Sequence, residues 1–177
     1  VYVGMDYAVA PGVLIGGLVQ FDRTRENVKD PDITGSVEGN GWMAGPYIGA
    51  KLRDDLFFDA RAAWGTSSND IDLTDAVAGH RTGSFDTDRW LATASLTGNH
   101  LYGNLRISPQ VSVEYGNEVS DNYFMNNMQK VNSVDSTIGR LTFGPEFGYK
   151  YIEENGTTFE PHLSVRGIWT FEGDKLE

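Results

Sequence analysis

Wherever this sequence reads as a β-strand, its charged residues fall on one of the two alternating side-chain phases. From Thr158 to Phe171 one phase holds Phe159, Pro161, Leu163, Val165, Trp169 and Phe171, and the other holds Glu160, His162, Ser164, Arg166 and Thr170. Successive side chains on a strand point to opposite faces, so each such segment has an apolar surface and an ionic one. The 21 Gly, with Trp, Tyr, Phe and Val spread along the whole length, favour an all-β fold with many turns. A length of 177 residues suits a single domain spanning 1–177.

Composition narrows function by exclusion. A net charge of −11, with the 14 Lys and Arg dispersed, argues against nucleic acid as a partner, because phosphate binding needs a basic stripe. With no cysteine, thiolate chemistry and disulfides are excluded. No run approaches the ~20 consecutive apolar residues of a membrane helix, but a membrane barrel does not need one, since its strands alternate and average out near neutral hydropathy.

The strands are expected at Val1 to Val9, Val13 to Arg25, Gly41 to Leu52, Leu56 to Thr66, Ser84 to Thr97, Leu105 to Asn117, Ser136 to Tyr151 and Thr158 to Phe171. That makes about eight, each long enough to cross a bilayer when tilted. The connections alternate. Ala10 to Gly12, Arg53 to Asp55, Gly98 to Asn104 and Ile152 to Gly156 are short, whereas Glu26 to Asn40, Ser67 to Gly83 and Glu118 to Asp135 are long, solvated and expected to be mobile. Long connections on one side of a meander are what an outer-membrane barrel shows.

The apolar phase holds Trp42, Ala44, Pro46 and Ile48; Phe58, Ala60, Ala62 and Trp64; Trp90, Ala92, Ala94 and Leu96; Val111, Val113 and Tyr115; and Leu141, Phe143, Phe147 and Tyr149. The ionic phase holds Lys51, Asp59, Arg61, Arg89, Arg106, Glu114, Arg140, Glu146, Lys150, Glu160 and Arg166. Alternation alone is equally compatible with a soluble eight-stranded barrel that carries an apolar ligand inside. Two details favour lipid outside. Trp42, Trp64, Trp90, Tyr149 and Trp169 sit near strand ends, as interfacial aromatics do. Alanines fill the strand centres, where a soluble core would be left underpacked.

The residues also resemble a known family, the C-terminal translocator domain of bacterial autotransporters (type V secretion). The resemblance is carried by Gly4-Met5-Asp6-Tyr7, Gly45-Pro46-Tyr47, Phe57 to Gly65, Phe85-Asp86-Thr87-Asp88-Arg89-Trp90, Gly139 to Glu146, and Glu160-Pro161 followed by Gly167-Ile168-Trp169. It implies an antiparallel up-and-down transmembrane β-barrel of about twelve strands, of which this chain holds about eight. It also implies a bacterial outer-membrane location and a non-enzymatic role in anchoring and exporting an N-terminal passenger. The partners it implies are the lipid bilayer, the protein's own passenger and linker helix, and the outer-membrane barrel assembly machinery. No cofactor is implied. On this reading the linker helix, a first strand and the last three strands lie outside the chain, and Leu176-Glu177 at its end reads as a cloning scar. A sheet cut at both sides has two bare edges, so the first and last strands should pair with each other, pair with another copy or aggregate, and closure by pairing with each other is the expectation.

Three local patterns invite chemistry. His162 and Ser164 share the ionic face two positions apart, a pairing similar to that of outer-membrane phospholipases, but an imidazole also needs an orienting partner. Asn69, Asp70, Asp72 and Asp75 supply oxygens for calcium without the spacing of a calcium loop. Asn155-Gly156-Thr157 reads as a tight turn. No catalytic residue and no metal ligand is assigned. The candidate site is the polar network of Asp59, Arg61, Arg106, Glu114, Arg140, Glu146, Glu160 and Arg166, expected to line a lumen.

Overall fold

The computed structural model describes residues 1–30, 33–75, 77, 79–153 and 156–173. Fourteen strands follow one another: β1 (Tyr2–Ala10), β2 (Val13–Lys29), β3 (Ile33–Arg53), β4 (Leu56–Asp75), β5 (Gly79–Gly98), β6 (His100–Tyr102), β7 (Leu105–Ser120), β8 (Tyr123–Phe124), β9 (Lys130–Val131), β10 (Asp135–Tyr149), β11 (Tyr151–Ile152), β12 (Thr158–Phe159), β13 (His162–Ser164) and β14 (Gly167–Gly173). The main sheet is an antiparallel meander in the order β1-β2-β3-β4-β5-β7-β10-β13, with β14 also on β10 and β6 also on β7. Counting β6 as the continuation of β5, β11 as that of β10 and β12 to β14 as one interrupted strand, and setting aside the β8–β9 hairpin, gives the eight expected crossings. None of the described residues is helical.

Two of the expected long loops are strands. β2 and β3 stay paired out to Lys29↔Thr34, and β4 and β5 out to Asp75↔Gly79, so 26–29 with 34–40, and 67–75 with 79–83, form ladders where mobile loops were expected. At about 3.3 Å per residue the 21 residues of β3 extend about 70 Å, far beyond the 9–11 residues that cross a bilayer. Only the connection from β7 to β10 remains long, and it carries the small β8–β9 hairpin. On the opposite side the turns are tight, with left-handed glycines at Gly12 (φ 78°) and Gly103 (φ 61°). Gly156 is left-handed too, and its amide bonds Glu153 O at 2.9 Å. The Asn155 of the turn expected there, and the terminal Leu176-Glu177, lie outside the described residues.

The expected pairing of the first strand with the last is not found. Among the described residues β1 pairs with β2 alone, and β13 and β14 pair with β10 alone, which leaves an open sheet with two free edges. Barrel diameter grows with strand number, so a sheet curved for a wider barrel does not close after eight strands.

The sheet curls toward its charged face. Arg89 on β5 reaches Asp22 on β2 at 2.6 Å, although β3 and β4 lie between them. On a flat sheet those strands would stand about 14 Å apart, too far for side chains projecting from the surface to meet. Burial agrees with this. The covered residues Met43, Ala63, Ser67, Thr87 and Ser108 all share the phase of the charges.

Candidate functional site

On the outer, convex face, β2, β3, β4, β5, β7 and β10 present no charged side chain between an aromatic row and the tight-turn end. In register, Phe21 faces Trp42 and Trp64 faces Trp90. The row continues by ring contact, with Trp90 to Tyr115 at 5.5 Å and Tyr115 to Phe171 at 6.5 Å. Trp169 lies beside Phe171 at 5.9 Å, and Tyr149 stands at the other end of the band. Trp64 is 57 % exposed and Phe143 50 %, while the described apolar core amounts to Met43 and Ala63. A soluble barrel with an apolar interior would bury those rings, so the soluble-carrier reading is overturned. From Leu105 to Tyr115, ten steps of about 3.3 Å at a tilt of about 40° traverse about 25 Å, the height of a hydrocarbon band.

The concave face collects the ions. Arg106 on β7 is the hub: it pairs with Glu146 at 3.1 Å and Glu160 at 3.2 Å, donates to Ser108 Oγ at 2.8 Å, and meets His162 Nδ1 at 2.9 Å. Gly148 makes this possible. It lies between Arg106 and His162 in register, and a Cβ there would come within 2.8 Å of Glu160 Oε1 and 3.0 Å of Arg106 Nη2. The same device recurs where Arg89 crosses Gly41, whose Cβ would strike the guanidinium. Arg140 bonds Glu114 directly opposite it, and Arg166 reaches Gln110 across β10. Asp59 accepts from Ser95 Oγ at 2.7 Å. Arg61 has no hydrogen-bond or ion-pair partner among the described residues. It borders a cavity of about 570 Å³ with Tyr2, Leu18, Tyr47, Asp59 and Thr93.

Sequence reasoning found the charges but not Asp22, Gly41, Ser108 or Gln110. The one available signal was phase, since all four share the inward parity of their neighbours.

The local chemical patterns dissolve. Ser164 Oγ donates to Glu146 at 3.3 Å, and His162 is engaged by Arg106, so imidazole and hydroxyl are not coupled as a nucleophile and base. Asn69 faces inward and donates to Thr87 Oγ1 at 3.0 Å, Asp72 points outward to His80, and Asp75 pairs with Arg81. Those oxygens diverge and do not gather around one ion. In the β7–β10 connection Tyr123 stacks on Phe85 at 4.9 Å, and burial there pushes its phenol pKa up.

An apolar convex face, an ionic concave face and a lipid-high band define an outer-membrane β-barrel protein. The family model for the autotransporter beta-domain matches residues 1–177, and the chain belongs to that family. It is the part of an autotransporter that resides in the bacterial outer membrane and serves export of a passenger domain. Among solved structures it is similar to the beta domain of the Bordetella autotransporter BrkA, with TM-score 0.74 and 18% identity over 96% of this chain and 70% of that one. It also shares its fold with BauA, the ferric preacinetobactin receptor from Acinetobacter baumannii, with TM-score 0.52 and 13% identity over 96% of this chain and 36% of that one. Comparison with curated proteins gives no match.

Proposed function

We propose that the concave face is the wall of the bore used in passenger export, and that Asp59, Arg61, Arg106, Glu114, Arg140, Glu146, Glu160 and Arg166 form its working lining. The observation that carries this is the inversion of burial: paired ions lie on the covered side and bare aromatics on the exposed side. In this reading most of the lining stiffens the wall. Arg140 with Glu114 and Arg106 with Glu146 and Glu160 satisfy one another without any outside group. Arg61 differs, because it faces the open concavity with no partner among the described residues and is suited to a carboxylate on the linker helix or passenger. Trp42, Trp64, Trp90, Tyr149 and Trp169 seat the wall at the lipid–water boundaries. Residues 1–177 act as a single domain, which the barrel assembly machinery inserts, and which catalyses no reaction.

Charge reversal tests the division of labour. In the full-length protein Arg61→Glu is expected to lower passenger display several-fold while leaving the amount of heat-modifiable folded barrel unchanged. Arg140→Glu is expected to lower folded barrel, with recovery on adding Glu114→Arg. Unchanged display in Arg61→Glu would mean that the lining only pairs with itself.

A further inference from the structure

Past the aromatic row the two faces of the sheet exchange character. On β4, Asp59 and Arg61 point inward below Trp64, but Ile71 and Leu73 point inward above it; outward, Ala60 and Ala62 give way to Asp70 and Asp72. β3 does the same, with Val37 inward and Glu38 outward, and so does β2, with Val28 inward and Arg25 outward. Arg23 and Arg25 hold Glu38 on the outward side at 3.3 and 3.2 Å. In the segment that leaves the membrane Val28, Val37, Ile71, Leu73 and Phe85 thus form an apolar strip on the inner side, bordered by Glu26 and by the Asp75–Arg81 ion pair, while the outer side is polar, as on a sheet in water. It lies on the side of the long β7–β10 connection, opposite the tight turns, which in such barrels is the external side.

The inward strip is partly covered by the chain itself. Over Phe85 and Gly83 lies Tyr123, and the same connection adds backbone bonds from Asp121 N to Asp86 O and from Asn126 N to Thr82 O, both 2.9 Å. Thus a short extended peptide with one large side chain is already seated on one end of the strip. The other end, at Val28, Val37, Ile71 and Leu73, stays only half-buried.

We propose that this uncovered apolar strip at the outer mouth is a docking surface for an extended, apolar stretch of the passenger polypeptide as it leaves the bore. The occupant follows from continuity: the strip is the outward prolongation of the same wall, so a chain exiting along that wall meets it before open water. Tyr123 shows the binding mode, with backbone on a strand edge and an aromatic laid on the apolar face. The proposal rests on the concave face being the bore.

The test uses the full-length protein in cells, with a photoreactive amino acid placed singly at Ile71 or Val37, and at Asp70 or Glu38 as outward controls. With the passenger arrested part-way, cross-links to it are expected from the inward pair, at yields several-fold above the outward pair. Equal yields from both faces would overturn the proposal, as would cross-links from Ile71 only to the 121–134 connection, or none while the passenger still reaches the surface. Ile71→Ser with Leu73→Ser is expected to slow surface appearance several-fold with folded barrel unchanged, and an unchanged rate would also count against docking. Cross-links from the outward pair alone would place the exit path on the other face and remove the bore reading itself.

Discussion

Gly41 and Gly148 occupy positions where any side chain would obstruct an arginine that spans strands. Arg89 can reach Asp22 only because Gly41 is bare, and Arg106 can reach Glu160 and His162 only because Gly148 is. Gly41→Leu should therefore displace the guanidinium and destabilise the folded domain by about 1–3 kcal/mol, the usual cost of overpacking, measured by urea unfolding in lipid vesicles. Combining it with Arg89→Ala should cost less than the sum of the two single changes, because both remove the same contact. At this scale the sequence disclosed which residues are charged and which way they point, since strand parity alone determines that. It did not disclose partners. Arg89 and Asp22 are 67 positions apart, and their meeting depends on how strongly the sheet curls, which no local pattern encodes.

The strands themselves are legible in number and order, and the short connections Ala10 to Gly12 and Arg53 to Asp55 fall where the alternation of connection lengths puts them. The misreading came at Trp42 and Trp64. There the apolar residues change from one phase to the other, Ala60 and Ala62 giving way to Ile71 and Leu73, while Asn, Asp, Ser and Gly become frequent. A pattern followed on one face ends there, yet the neighbouring strands supply a ladder from Trp42↔Thr66 to Ile33↔Asp75 that overrides weak local β-propensity. The β7–β10 connection is held to β5 by Tyr123, whose ionisation is opposed by burial. Because the folded-state pKa is raised, this docking is fully present below the ordinary tyrosine value of about 10 and is lost as pH rises through the folded value. Protease cleavage within 121–134 should hence accelerate above about pH 10, and Tyr123→Phe should abolish that pH step while keeping the connection protected at neutral pH.

For the molecule as a whole, the inside-out distribution of polarity was readable from alternation, and the structure decided which face is convex. Closure was not readable, because the number of strands needed to complete a turn depends on curvature and tilt. Among the described residues the outer sides of β1 and of β13 with β14 carry no strand partner, which leaves rows of backbone groups open to pairing. The isolated 177-residue chain should therefore associate edge to edge in detergent. Chemical cross-linking should give a ladder of multimers, whereas full-length protein should run as a monomer; a strictly monomeric isolated chain would contradict this. The exchange of polarity at the aromatic row also fixes how deep the protein can sit. Sinking the wall by one pair of residues, about 7 Å along a strand, would drag Arg23 and Asp88 into oil, and raising it as far would bring Trp64 and Trp90 into water. At up to about 2–4 kcal/mol for each immersed arginine, the strands carry their own draught mark.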